Sequence, residues 1–216
     1  MPDPSQPKSR TRLMRWKGWL AVGILAATAI TFARWVQPFL AISRPVSADV
    51  LVVEGWVPDY VLAAAAREFR HGHYTRLLVS GLAYDRGPAG TGEKSYAREA
   101  AEQLATLGID RSLIVACPGP GAEWNRTSHS VRVVRDRLRA LGITPQGINV
   151  MTLGPHARQT LLAYRRLIDP TIPVGVISIP KDDYDPARWW ASRAGIKKVT
   201  KDLAGWVREL LFGLRS

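Results

Sequence analysis

The sequence predicts an α/β fold: a three-layer sandwich with a mostly parallel sheet of about five strands, preceded by one transmembrane helix. Three observations carry this expectation. Short apolar runs at 50–53, 76–81, 112–117, 148–153 and 174–179 alternate with stretches of helical periodicity, which is the spacing of βα units. The first run, Val50, Leu51, Val52 and Val53, is apolar without the alternation of a half-exposed strand, so both of its faces are to be covered and its place is central. Upstream, residues 18–33 are sixteen in a row without a charge.

Residues 1–17 are polar, proline-bearing and basic, a disordered tail by composition. Residues 18–43 read as a transmembrane signal-anchor. The sixteen uncharged residues reach about 24 Å of a bilayer core of about 30 Å, and Arg34 extends the span by snorkelling. Trp16, Trp19 and Trp35 fall near the two ends, where aromatic belts lie. The basic cluster before the run places the amino terminus in the cytoplasm. Residues 49–216 then stand outside it, as the globular part of a single-pass protein of the inner (cytoplasmic) membrane. Two other readings compete. One is a cleaved signal peptide, for which Val46, Ser47 and Ala48 offer small residues, although far beyond the apolar run. The other is a core helix of a soluble protein.

Charge narrows the partners. There are 30 Lys+Arg against 18 Asp+Glu, a net +12. Half of that excess lies in the first 48 residues, and the rest forms no basic helix and no aromatic-rich RNA motif, so nucleic acid is not expected. The single Cys117 excludes an internal disulfide and a cysteine metal cluster.

The elements follow in order. Pro58 and Asp59 open an alanine-rich helix with Val61, Leu62, Ala65 and Phe69 on one side, stopped by Gly72. After the second strand, glycine-rich residues 82–92 read as a mobile loop. A helix over 93–107 turns Ala97, Ala100 and Leu104 inward and stops at Gly108, and the third strand runs into a Pro/Gly loop at 118–125. The helix over 127–141 carries Val131, Val134 and Leu138 on its apolar stripe, with Arg132, Arg135, Arg137 and Arg139 as a solvated face. The turn Gly154, Pro155, His156 leads into a helix to about Ile168, and Asp185 with Pro186 starts another. The last helix, 198–212, sets Val199, Leu203, Trp206, Val207, Leu210 and Leu211 on one side. That side reads as core, with a membrane-lying face as the other reading.

In a parallel sheet every strand ends along one edge, so Glu54-Gly55-Trp56, Ser80-Gly81, Cys117, Gly154-Pro155-His156 and residues 180–183 converge there. Glycines let a ligand approach the backbone, and helix starts offer free N–H groups to an anion. Arg126 and Arg158 stand beside two such starts. The expected ligand-binding set is therefore Gly55, Ser80, Gly81, Arg126, Thr127 and Arg158, facing a small anionic ligand, with Glu54 and His156 as acid–base candidates. Each has a plainer alternative: Glu54 as a helix cap, His156 as a structural hydrogen-bonding group, Cys117 as a small buried hydrophobe. Ser80 is not in G-x-S-x-G, so no nucleophile elbow is present. His71 and His73 have no third ligand near, and no metal site is expected. No motif names a cofactor or a protein partner.

The strand D-V-L-V-V-E-G-W, the S-G end of strand two, R-T-S-H-S before a helix and V-M-T-L-G-P-H-A-R, behind an amino-terminal membrane helix, together resemble the domain-of-unknown-function 218 family, the SanA, ElyC and YdcF-like proteins. The resemblance covers Asp49 to about Ile179. It implies a Rossmann-like α/β domain, often anchored in the inner membrane, with a role in cell-envelope or peptidoglycan homeostasis. Two functional classes stay open: a binder of, or enzyme on, a nucleotide- or phosphate-bearing anion, and a non-catalytic envelope scaffold or regulator.

Overall fold

The computed structural model describes residues 8–84 and 94–212. Strand β1 (Val50–Glu54) is buried at every position. Four further strands flank it: β2 (Arg76–Leu82), β3 (Ile114–Gly119), β4 (Ile148–Leu153) and β5 (Val174–Ile179). All pair in parallel in the order β3-β2-β1-β4-β5, with β1 central as its double-sided apolar run predicts. Successive side chains of β1 point to opposite faces. Val50 and Val52 enter one core with α4 (Arg126–Ala140) and α5 (Ala157–Leu167), while Leu51 and Val53 enter another with α2 (Asp59–His71) and α3 (Tyr96–Thr106). Each such side chain, fully buried, contributes about 1.5–3 kcal/mol, which is why β1 tolerates no polar residue before Glu54.

Ahead of the sheet, α1 (Lys8–Leu40) is a single helix whose part Trp16–Leu40 is long and apolar enough to cross a membrane. It starts ten residues before the expected span, so residues 8–17 are helical rather than a disordered tail, while 1–7 lie outside the described residues. From Lys8 to Lys17 the chain has no Pro or Gly, and once the apolar run forms a helix, adding a residue costs little.

A third cluster joins the end of α1 to α6 (Arg193–Phe212) and to a 3-10 segment, Pro186–Ala191. Between α1 and β1 the chain is tied down: Arg44 exchanges two backbone hydrogen bonds with Val176 of β5, and Asn149 of β4 bonds both backbone groups of Val46.

Two expectations need correction. Helix α6 begins at Arg193 rather than 198, capped by Ser192, whose hydroxyl accepts from the Gly195 N–H at 3.0 Å. Its apolar side is core only in part: Val199 is buried, but Val207, Leu210 and Leu211 are exposed, and the buried residues of the helix include Asp202 and Glu209. Of the loop expected at 82–92, Leu82 ends β2, Ala83 bridges Ser95, and 85–93 lie outside the described residues.

Candidate functional site

Strands β2 and β3 lie on one side of β1, and β4 and β5 on the other. Their connections therefore leave in opposite directions, and a crevice opens where β1 and β4 end. It forms a cavity of about 620 Å³.

Glu54, the last residue of β1, is 4% exposed. The Thr152 hydroxyl of β4 donates to its Oε2, and the Thr160 hydroxyl of α5 donates to its Oε1 at 3.1 Å. It caps no helix, since α2 starts at Pro58 with no side-chain cap. A buried carboxylate held by two hydroxyls from different elements is fixed in position.

His156 ends the 3-10 turn Gly154–His156, which β4 enters through Gly154 at φ +55°, a conformation that favours glycine. Its ring stands between two carboxylates: Nε2 is 3.8 Å from Glu54 Oε1, and Nδ1 is 3.6 Å from Asp202 Oδ1. Both lie beyond the distance of a formed hydrogen bond. Trp56 packs edge-on against the imidazole, with centroids 5.2 Å apart. Lys198 Nζ lies 2.9 Å from Asp202 Oδ2, at an angle that leaves Oδ2 without a formed hydrogen bond, and 5.4 Å from the Trp56 ring centre. Burial alone would raise the Asp202 carboxyl, but His156 and then Lys198 outweigh it and hold it below its ordinary value.

Three exposed cations share the lining with exposed Glu123. Arg126, Lys201 and Arg208 line the cavity and are exposed. Arg126 is the first residue of α4, whose N-cap Asn125 sits in the left-handed region at φ 50° with no side-chain cap. The first N–H groups of α4 have no intrahelical partner, and Asn125, Arg126 and Thr127 all border the cavity. Ser80 is buried at its wall. The nearby Tyr164 hydroxyl is buried without a formed hydrogen bond. It is pushed well above its usual value by burial first and the Glu54 charge second, with Ser80 pulling the other way.

The structure thus brings Glu54, Ser80, Arg126, Thr127 and His156 to one cavity, and leaves three expected residues outside it. Arg158 lies with its guanidinium 3.8 Å from the Phe39 ring centre and donates from Nε to the Phe39 carbonyl oxygen. Two helical positions after His156 are a rotation of about 200°, so its side chain leaves on the opposite side. Gly55 and Gly81 are packing glycines: a Cβ on either would sit 2.5 Å from the α3 backbone, against the Tyr96 carbonyl oxygen and the Ala97 nitrogen respectively. Cys117 is buried outside the cavity, its thiol pushed up to about 12 by burial despite the Arg137 charge. Lys181 pairs with Asp183 and does not line the cavity either.

Sequence reasoning placed the last helix but missed its part in the site. Lys198, Asp202, Gly205 and Glu209 recur at helical spacing and form its inward polar stripe. Gly205 leaves room for the Gln159 amide, which donates to the Thr127 hydroxyl at 3.3 Å. Buried Glu209 accepts from the Ser128 hydroxyl at 3.0 and 3.1 Å, and Arg166 donates to the carbonyl oxygens of Glu209 and Leu210. The signal was present as three charged residues and a glycine in one stripe, but α6 carries charges on its other faces as well.

No family model and no curated protein matches the chain, so the roles of these residues rest on geometry. That geometry sets a histidine between two carboxylates in a cavity lined by four Lys/Arg and three carboxylates.

Proposed function

We propose that this chain is a membrane-anchored α/β protein that binds a small nucleotide- or phosphate-bearing anion at the β1–β4 crevice, outside the cytoplasm, in service of the cell envelope. One observation carries the reading. Arg126, Lys198, Lys201 and Arg208 line a cavity with three carboxylates, Glu54, Glu123 and Asp202, and the uncapped start of α4 borders it; the surplus cation and the free N–H groups are what an anion completes. His156 lies at the same cavity between Glu54 and Asp202, which supports proton transfer to a bound ligand as its role. The basic flank before the apolar run supports the outward orientation.

Calorimetric titration of the full chain in nanodiscs with inorganic phosphate, nucleotides and sugar nucleotides tests this. Arg126→Ala should weaken binding by about 1.5 kcal/mol, roughly tenfold, the lower end for a hydrogen bond to a charged group because Arg126 is exposed. His156→Ala should keep binding and abolish turnover. If no anion binds, the proposal fails and a non-catalytic scaffold takes its place.

A further inference from the structure

The domain grips α1 below its end. Val36 and Leu40 are buried, Phe39 packs edge-on against Trp206 at 5.1 Å, and the Trp189 indole N–H donates to the Ala33 carbonyl oxygen at 2.7 Å. Ala33 is seven residues before Leu40, the last residue of the helix, or about 10 Å of helical rise. The stretch left for lipid is then Trp16 to Phe32, seventeen residues with Lys17 as the one charge. That is about 25 Å, already short of a bilayer core of about 30 Å. A bilayer that covers this stretch must therefore reach the level of the Pro186–Ala191 segment.

The surface at that level has the composition of a membrane interface. Trp35 of α1, Trp190 and Ile196 are exposed there, as are Arg193 and Lys197, while Arg188 is exposed but paired with Asp185 at 2.9 Å. Tryptophan at headgroup depth, with basic side chains reaching phosphates, is how interfacial segments hold a leaflet. Trp189, whose ring packs edge-on against Trp190 with centroids 6.0 Å apart, bonds α1 at Ala33, so the segment that carries Trp190 lies against α1. The charge of the patch complements anionic headgroups.

We propose that the Pro186–Ala191 segment and the first turns of α6 form a collar seated on the leaflet beside α1, with Trp190 and Ile196 among the headgroups and Arg193 and Lys197 against lipid phosphates. This rests on α1 crossing the bilayer, and the experiment separates the two ideas. Ile196→Cys, Leu25→Cys and Thr106→Cys each receive a nitroxide label; native Cys117 is buried. Thr106 sits in α3 near β3, at the sheet edge away from the α1 junction. In nanodiscs of phosphatidylethanolamine and phosphatidylglycerol, collision with oxygen reports lipid and collision with a water-soluble nickel chelate reports water.

The expected result is that Leu25 and Ile196 labels favour oxygen, Ile196 the shallower, while Thr106 favours nickel. A Leu25 label in lipid with an Ile196 label as nickel-accessible as Thr106 overturns the collar and leaves the span standing. A nickel-accessible Leu25 label overturns the span and the collar with it. An Ile196 label shielded from both probes, with dipolar broadening between labels, assigns the patch to a second copy of the chain and also overturns the collar.

Discussion

Asp202→Asn removes the charge shared by His156 and Lys198 while keeping the side chain's size. At 2.9 Å from Lys198 Nζ, the Coulomb attraction is roughly 6 kcal/mol at an effective dielectric constant of about 20. The cost of taking a carboxylate out of water, several kcal/mol, offsets much of it. What remains is of the order of a hydrogen bond to a charged group, about 1.5–3 kcal/mol. Lys198 is 15% exposed along its side chain and can swing its ammonium to solvent once the partner is lost, which places the expected loss near 2 kcal/mol. At about 2–4 °C per kcal/mol for a domain of this size, Tm falls by roughly 4–8 °C. The assay is thermal unfolding of the full chain in detergent, followed by tryptophan fluorescence. Its pH dependence has a fixed sign. Asp202 is held below its ordinary value in the fold because His156 and Lys198 outweigh burial. Its contribution is therefore complete above the unfolded value of about 3.9 and is lost as pH falls through the lower folded one. The gap between parent and variant should stand in full at pH 5 and close progressively below about pH 4. Equal stability at pH 5, or an undiminished gap at pH 3, refutes the reasoning.

Three further outcomes follow from the same contacts. Gly55→Ala drives a Cβ to 2.5 Å from the Tyr96 carbonyl oxygen and should cost about 1–3 kcal/mol of stability by overpacking with ligand affinity kept; an unchanged Tm with lost affinity would return Gly55 to the binding set. Thr160→Val takes one of two hydroxyl donors from buried Glu54 and should lower stability by about 1–3 kcal/mol, read as a shift of the urea midpoint with unchanged slope; no shift would mean that the hydroxyl is not what holds Glu54. Arg158→Ala should leave anion binding untouched in calorimetry and hasten tryptic cleavage after Arg44, because its guanidinium clasps Phe39 rather than the cavity; weakened binding would contradict that placement.

Much of the fold was legible because a parallel sheet writes itself in the chain. Val50 to Val53 must hide on both faces, and only the centre of a helix-covered sheet offers that. The strand ends gave half of the site for the same reason, since topology alone carries Glu54, Ser80 and His156 to one edge. The other half was hidden by ambiguity in the residues. Glycine at a strand end admits a ligand or a helix equally, and at Gly55 and Gly81 the helix α3 took the space. Lys198 and Asp202, four apart on a helix, read as an ordinary surface pair. Only the packing of α6 beside α5, through Gly205 and Gln159, turns that face inward. Arg158 was misplaced because proximity in sequence to His156 says nothing of rotation around the helix.

Asn149 treats Val46 as a neighbouring strand would, accepting its N–H and donating to its carbonyl oxygen, both at 2.9 Å. The carbonyl oxygen of Ser47 lies in the space that Gly147 leaves by having no side chain. A peptidase reads its substrate as an extended segment and needs those same backbone groups. The backbone groups of Val46 are therefore taken once β4 is in place, although Ser47 itself stays exposed. Asn149 lies 103 residues downstream of Val46, so this pairing closes only after most of the domain has emerged and folded. A peptidase that needs the Val46 backbone therefore meets it free only before β4 is seated.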